Sequence, residues 1–60
     1  MLDLKAFRER RELTQTALAE EVGVTQAYIS VLERGLRRPD PDTAKRIGKV
    51  LGFEWTAFYE

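Results

Sequence analysis

The sequence contains no cysteine and no histidine among its 60 residues. Without cysteine the chain forms no disulfide bond and offers no thiolate to a metal ion. Without histidine it lacks the most common general base and the most common imidazole ligand for metals. These two absences make an enzyme difficult to build, so we expect no catalytic activity, no metal and no cofactor.

Long hydrophobic runs are also missing from the sequence. No apolar stretch approaches the length of about 18 residues that a membrane-spanning helix needs. The first residues, MLDLKAF, lack the basic start and the long apolar core of a secretory signal. We therefore expect a cytoplasmic protein without a membrane partner. The short chain allows one domain, over 1–60, and leaves no room for a second domain that senses a small-molecule ligand.

Neither sign of charge predominates, since 10 Lys and Arg balance 10 Asp and Glu. A neutral domain is not typical of a nucleic-acid-binding protein, in which a basic surface is the usual electrostatic signature. The charge is unevenly distributed, however, because residues 26–38 carry three arginines against one glutamate. The arginines are Arg34, Arg37 and Arg38. The sequence thus indicates a small local positive field.

Residues 14–34 have the pattern of two short helices joined by a tight turn. Thr14 and Thr25 are each placed to cap the helix that follows, and Gly23 between them is typical of a left-handed turn. Helical spacing predicts a buried stripe on each helix, formed by Leu18, Ala19 and Val22 on the first and by Ile29 and Leu32 on the second.

The second of these helices, 25–34, has an unusual outward face. It carries Ala27, Ser30, Val31 and Arg34, with Gln26 in the first turn, where a solvated helix would carry Glu and Lys. Such a face suits close approach to DNA, because Gln can bond adenine, Arg can bond guanine, and an apolar group can meet a thymine methyl. On periodicity alone, a helix of a small bundle with one exposed valine explains the pattern equally well.

One longer spacing pattern joins this region to its flanks and is matched by Leu13, Thr14, Gln15, Leu18, Ala19, Gly23, Val24, Ile29, Ser30, Glu33, Gly35 and Pro39. It resembles the helix-turn-helix family of phage repressors, called the Xre or Cro/C1 type. The resemblance runs from about Leu4 to Tyr59, and the joint spacing is far more specific than any short motif within it. It implies an all-α, five-helix, lambda-repressor-like DNA-binding domain with a central helix-turn-helix.

The resemblance implies a transcriptional regulator, most simply a repressor, that binds a palindromic operator in double-stranded DNA as a homodimer. Half-sites should then lie about 10 bp apart. The residues expected to face bases are Gln26, Ala27, Ser30, Val31 and Arg34. The residues expected to contact phosphates are Gln15, Thr25, Tyr28, Arg37 and Arg38.

The family pattern also implies an ion pair between Arg8 and Glu33, and it is broken at two positions. Glu12 stands where glycine often closes the first helix. A left-handed backbone there costs a glutamate about 1–2 kcal/mol, whereas a helix that runs one residue further avoids the cost. Gly48 stands where alanine is usual and predicts close approach of another helix, since glycine is otherwise unfavourable inside a helix.

Local signals predict the remaining helices. The first should span 3–11, with Leu4 and Phe7 facing inward. Gly35 should end the second helix of the motif, with Leu36 folding back onto the core. The sequence Asp40-Pro41-Asp42 predicts the start of a helix that runs to about Leu51. Its buried residues should be Ala44, Ile47 and Leu51.

The C-terminal segment 53–60 contains four of the six aromatic residues of the chain. An exposed aromatic patch marks an interface, and we expect Phe58 and Tyr59 to form the dimer contact. For Phe53 and Trp55, a place at the bottom of the core is as good an interpretation as a place in the interface. The same patch supports an alternative function, in which the fold serves as a protein-interaction module or an antitoxin.

Overall fold

Four α-helices and a C-terminal 3₁₀ helix make up the computed structural model, which describes residues 2–60. No strand occurs in this range. The predicted all-α class is confirmed, and the fifth predicted helix is a 3₁₀ helix. Met1 of the predicted domain lies outside the described residues. The elements are α1 (Leu4–Arg10), α2 (Gln15–Val22), α3 (Gln26–Glu33), α4 (Pro41–Leu51) and the 3₁₀ helix (Trp55–Tyr59).

Each α-helix begins where a short polar side chain caps it. The side-chain oxygens of Asp3, Thr14, Thr25 and Asp40 each accept a hydrogen bond from the backbone amide three residues further on, at 3.0–3.1 Å. Each bond satisfies an amide that has no partner within its helix. The predicted caps at Thr14, Thr25 and Asp40 are confirmed, and α1 is shorter than the predicted 3–11 by one residue at each end.

The turns between the helices include two left-handed positions that matter for the site. Gly23, between α2 and α3, has φ 88°, as predicted for the turn of the motif. Glu12 has φ 56°, which decides the question left open by the sequence. The α1 helix ends before Glu12, and the glutamate occupies a backbone conformation that glycine adopts without strain.

The core lies among α2, α3 and α4, with α1 packed against it. Leu18, Ile29 and Ile47 are completely buried. Every residue predicted to be inward on α2, α3 and α4 is buried, and so is Leu4 of α1. Phe7 is only half-buried and packs against the edge of the core. The hydrophobic stripes therefore identified the core correctly.

Gly48 allows a close approach, but the partner is not a helix. A Cβ at this position would lie 2.7 Å from the carbonyl oxygen of Phe53 and 3.3 Å from the amide nitrogen of Trp55. The backbone that connects α4 to the 3₁₀ helix therefore occupies the space that a side chain would need. The predicted close approach exists with this connecting segment.

Leu36 departs from its predicted place in the core, since it is 61% exposed. Gly35 ends α3 with φ 73°, and the Leu36 amide donates to the Val31 carbonyl oxygen at 3.2 Å. Residues 34–38 are all exposed, and the chain returns to the interior at Pro39. Leu36 therefore stays on the outside of this loop, and a pocket of about 100 Å³ remains beside Gly35.

None of the helices described for residues 2–60 has the length and apolar character needed to cross a bilayer.

Candidate nucleic-acid interface

The candidate interface is centred on α3, whose two sides differ sharply in exposure. Ile29 and Leu32 are buried against α2 and the rest of the core. Gln26, Ala27 and Arg34 are exposed, while Ser30 and Val31 are half-buried. The structure thus places the five predicted base-facing residues on the side of α3 that is not buried in the core.

Arg8 and Glu33 meet beneath this surface and join α1 to the end of α3. The Arg8 Nε donates to Glu33 Oε2 at 2.5 Å, and Arg8 Nη2 lies 3.3 Å from Oε1. The side chains are only 10% and 5% exposed. Arg8 Nη1 also donates to the Leu13 carbonyl oxygen at 2.7 Å. The hydrogen bond to Glu33 raises the pKa of the Arg8 guanidinium, against the opposing effect of burial.

Gln15 and Gln26 extend this ion pair to the surface. The Gln15 Nε2 donates to Glu33 Oε1 at 3.0 Å, and the Gln26 Nε2 donates to Gln15 Oε1 at 2.5 Å. Sequence reasoning gave these glutamines separate roles and missed their contact. Each is the first residue of its helix and follows a capping threonine. The repeated Thr-Gln pair is the sequence signal that Gln15 and Gln26 occupy equivalent positions at the starts of α2 and α3.

The loop after α3 supplies positive charge to the same region of the chain. Arg34, Arg37 and Arg38 are exposed, and none of them forms an ion pair within residues 2–60. Exposed, unpaired guanidinium groups are suited to bidentate contacts with phosphate oxygens. The local positive field expected from the sequence is therefore accessible at the surface.

The other predicted phosphate contacts have duties within the fold. The Thr25 hydroxyl oxygen accepts from the Tyr28 amide at 3.1 Å and remains exposed. Tyr28 is half-buried and packs against the core. Gln15 is half-buried and held by Glu33 and Gln26. Of these three residues, only Thr25 is exposed as a whole.

Phe58 and Tyr59, the predicted dimer contacts, are both half-buried by neighbours in the same chain. The Phe58 ring packs edge-on against Phe53, with centroids 5.5 Å apart. The Tyr59 hydroxyl donates to the Pro39 carbonyl oxygen at 2.6 Å, and its ring meets Trp55 at 5.9 Å. Part of each ring therefore remains available for a dimer contact.

A pocket opens on this side of the molecule between α1, the loop after α3 and the C-terminus. Its apolar lining comes from Leu2, Leu4, Leu32 and Phe58, and its charged lining includes Arg37, Arg38 and Glu60. The exposed Leu36 lies in the same loop, between two residues that line the pocket. The loop thus carries an exposed leucine and also borders a pocket of mixed apolar and charged lining.

The sequence pattern of the helix-turn-helix family matches residues 4–58, nearly the whole chain. This chain belongs to the helix-turn-helix family. The match confirms the resemblance to Xre-type regulators, and the fold and the family are those of DNA-binding transcriptional regulators.

Named relatives of this helix-turn-helix protein include regulators from bacteria and phage. It is 39% identical over 57 residues to the uncharacterized HTH-type transcriptional regulator YqaF of Bacillus subtilis strain 168, covering 95% of this chain and 75% of YqaF. It is 33% identical over 54 residues to the immunity repressor protein of Bacillus phage phi105, covering 90% of this chain but 38% of the repressor.

A solved structure has the same helix-turn-helix fold. The N-terminal DNA binding domain of SinR from Bacillus subtilis superimposes with a TM-score of 0.82, at 26% sequence identity. The superposition covers 95% of this chain and 84% of that domain. The arrangement of the four α-helices and the C-terminal segment is therefore that of a known DNA-binding domain.

Proposed function

We propose that this helix-turn-helix protein is a sequence-specific repressor that binds a palindromic operator as a homodimer, with α3 in the major groove. The observation that carries the proposal is the exposed side of α3, where Gln26, Ala27 and Arg34 stand clear of the core. These are the chemical types that read adenine, thymine and guanine edges. If α3 were only an ordinary helix of a small bundle, as its periodicity alone allows, this combination of exposed residues would have no explanation.

In the proposed complex, base reading is concentrated at the start and the end of α3. Gln26 meets an adenine through its amide group, and Arg34 meets a guanine. Ala27, Ser30 and Val31 line the surface between them. Because Ser30 and Val31 are half-buried, they contribute to the shape of this surface, and the apolar groups of Ala27 and Val31 favour thymine methyl groups.

Phosphate contacts position this surface on the duplex. Arg37 and Arg38 are the principal contacts, since their guanidinium groups are exposed and unpaired in the described chain. Thr25, Tyr28 and Gln15 add polar groups near the N-termini of α2 and α3, where free backbone amides favour an anion. With so few cations, one domain binds weakly and its affinity falls steeply with salt.

Two copies are needed for useful affinity, and we propose that they meet on the side that carries the pocket. Phe58 lines this pocket, and the half-exposed Tyr59 and the exposed Leu36 would add apolar surface to the contact. The domain measures 25 × 20 × 19 Å, and two copies that read successive major grooves must hold their α3 helices about 34 Å apart, which is one turn of DNA. A DNA-bound regulator of this kind acts in the cytoplasm.

A protein-interaction module or antitoxin is the second candidate function. The exposed Leu36 in the loop that borders the pocket and the zero net charge favour it, because both suit a protein partner. The two functions are compatible in an antitoxin that represses its own operon.

Selection of bound sequences from a random duplex library, at two salt concentrations, tests the proposal. We expect an enriched palindrome with half-site centres about 10 bp apart. A double variant, Gln26→Ala with Arg34→Ala, should lose the enrichment. The matched variant Glu20→Ala changes an exposed residue of α2 and should keep it. Unselective binding that vanishes at the higher salt would reject operator recognition and favour the protein-partner function.

A further inference from the structure

A continuous chain of four polar side chains runs from the interior of the domain to the start of α3. Arg8 donates to both oxygens of Glu33, Gln15 donates to one of them, Oε1, and Gln26 donates to Gln15. Arg8 and Glu33 are buried, Gln15 is half-buried, and Gln26 is exposed. The buried ion pair therefore communicates with the protein surface through two amide groups.

The chemistry of the buried end determines which group donates and which group accepts in every hydrogen bond of this series. The Glu33 carboxylate, which pairs with the Arg8 guanidinium, can only accept hydrogen bonds. Gln15 must therefore turn its NH₂ group toward Glu33 and its carbonyl oxygen toward Gln26. Gln26 in turn must donate its own NH₂ group to Gln15. A side-chain amide that had no such neighbour would present either end to a ligand, because its two ends are nearly equal in shape.

This arrangement of donors and acceptors determines what Gln26 offers to a DNA base. One N–H of its amide is used by Gln15, which leaves one N–H and the carbonyl oxygen free. Adenine presents an acceptor and a donor in the major groove, and this pair matches the free groups of Gln26. Guanine presents two acceptors there, so the fixed carbonyl oxygen of Gln26 would face a guanine oxygen.

We propose that Arg8 and Glu33 act as positioning residues for base selectivity, by holding the amide of Gln26 in the orientation that accepts adenine and rejects guanine. The inference deepens the proposed function and rests on it. It assigns to a buried ion pair, usually regarded as a support of the fold, an effect on which base is bound.

The first test asks whether the hydrogen bond to Gln15 orders the Gln26 side chain in the free protein. The measurement is NMR relaxation of the side-chain NH₂ group of Gln26. The expected result is an ordered amide in the parent and a mobile one in Gln15→Met, which removes the link but leaves the ion pair. The exposed variant Thr16→Ala, one residue along α2, is the matched control and should leave the amide ordered. An amide that is as mobile in the parent as in Gln15→Met would overturn the inference without reference to DNA.

The second test measures base selectivity with two duplexes that differ only by adenine or guanine at one position. This position is the one at which the parent protein prefers one base and the Gln26→Ala variant shows no preference. Replacing the ion pair by Arg8→Met with Glu33→Gln leaves no uncompensated charge and gives Gln15 a neighbour that can donate or accept. We expect the preference of the parent for adenine, about tenfold, to be lost in this double variant and in Gln15→Met.

This design distinguishes a failure of the proposed function from a failure of the inference about Arg8 and Glu33. Absence of any selected sequence for the parent protein rejects the proposed function, and the NMR measurement then still decides whether Gln15 orders the amide of Gln26. A parent that prefers adenine, together with an unchanged preference in a folded Arg8→Met, Glu33→Gln variant, overturns the inference alone. A uniform loss of affinity for both duplexes in that variant also overturns it, because a lost phosphate contact has that effect.

Discussion

At the scale of single residues, the buried ion pair has the largest expected effect on stability. Arg8 and Glu33 each satisfy the other in an environment where their side chains are 10% and 5% exposed. Removing one partner leaves the other as a buried charge without compensation, which costs about 3–5 kcal/mol. Such a loss is a large part of the stability available to so small a domain.

Arg8→Ala and Glu33→Ala should therefore each lower the free energy of unfolding by several kcal/mol, measured by urea denaturation. The double variant Arg8→Met, Glu33→Leu should lose much less than the sum of the single variants, because no unpaired charge remains. Single variants as stable as the parent would contradict the assignment of a buried, interacting pair.

Glu12 provides a prediction of the opposite sign. Its φ of 56° places a side chain in a conformation that glycine adopts without strain. Glu12→Gly should raise the free energy of unfolding by about 1 kcal/mol, measured by thermal unfolding followed by circular dichroism. Glu12→Asn should give a smaller gain, since Asn tolerates this conformation, and Glu12→Ala should give none. A loss of stability in Glu12→Gly would contradict the argument from backbone strain.

At the scale of the elements, most of the fold could be predicted because its signals are local. The caps at Thr14, Thr25 and Asp40 and the buried stripes of α2, α3 and α4 each depend on residues within a few positions of one another. The exposure of Leu36 could not be predicted in this way, because it depends on the direction in which the loop leaves α3.

The candidate site was less accessible to sequence reasoning for a related reason. The pattern identified the side of α3 that is free of core contacts. It did not reveal that Gln26 bonds Gln15, since this contact joins two helices across eleven positions of the chain. The half-burial of Phe58 and Tyr59 likewise depends on Phe53 and Pro39, which the fold brings to them.

The start of α4 makes the stability of this helix depend on pH. Hydrogen bonds from the Thr43 hydroxyl, at 2.8 Å, and the Thr43 amide, at 3.1 Å, lower the pKa of the Asp40 carboxyl below its ordinary value. A lowered folded-state pKa means that the stabilisation is complete above the unfolded pKa and disappears as pH falls through the folded pKa.

Asp40→Asn should test this pH dependence, because asparagine caps a helix but does not titrate in this range. We expect the melting temperature of the parent, relative to that of Asp40→Asn, to fall as the pH is lowered below about 4. Above this range the difference should be constant. A difference that does not change between neutral and acidic pH would show that the Asp40 carboxyl is not responsible.

At the scale of the whole molecule, the proposed dimer depends on the surface around Leu36. Leu36 is 61% exposed, and the loop that carries it borders a pocket with an apolar lining from Leu4, Leu32 and Phe58 and a charged lining from Glu33, Arg37, Arg38 and Glu60. In a two-fold contact the same patch serves both copies, so an exposed leucine and a pocket on one copy can meet their counterparts on the other. Leu36 of each copy would then enter the pocket of the other.

Leu36→Gln should weaken this contact without altering the charge of the loop. We expect binding to an operator with two half-sites to fall about tenfold or more, while binding to a single half-site remains unchanged, as measured by gel-shift titration. Glu20→Gln, an exposed change outside the pocket, is the control. Equal losses on both duplexes would mean that Leu36 acts on DNA and not on the second copy.

Ala27 and Arg34 are exposed on α3, and neither side chain takes part in a hydrogen bond or ion pair within residues 2–60. Mutation can therefore alter either of them during evolution with little penalty to folding. Position 26 has less freedom, because a new side chain there also loses its neighbour at position 15. Divergence toward new operators is thus expected first at positions 27 and 34, and a laboratory redesign of binding preference should begin with the same two.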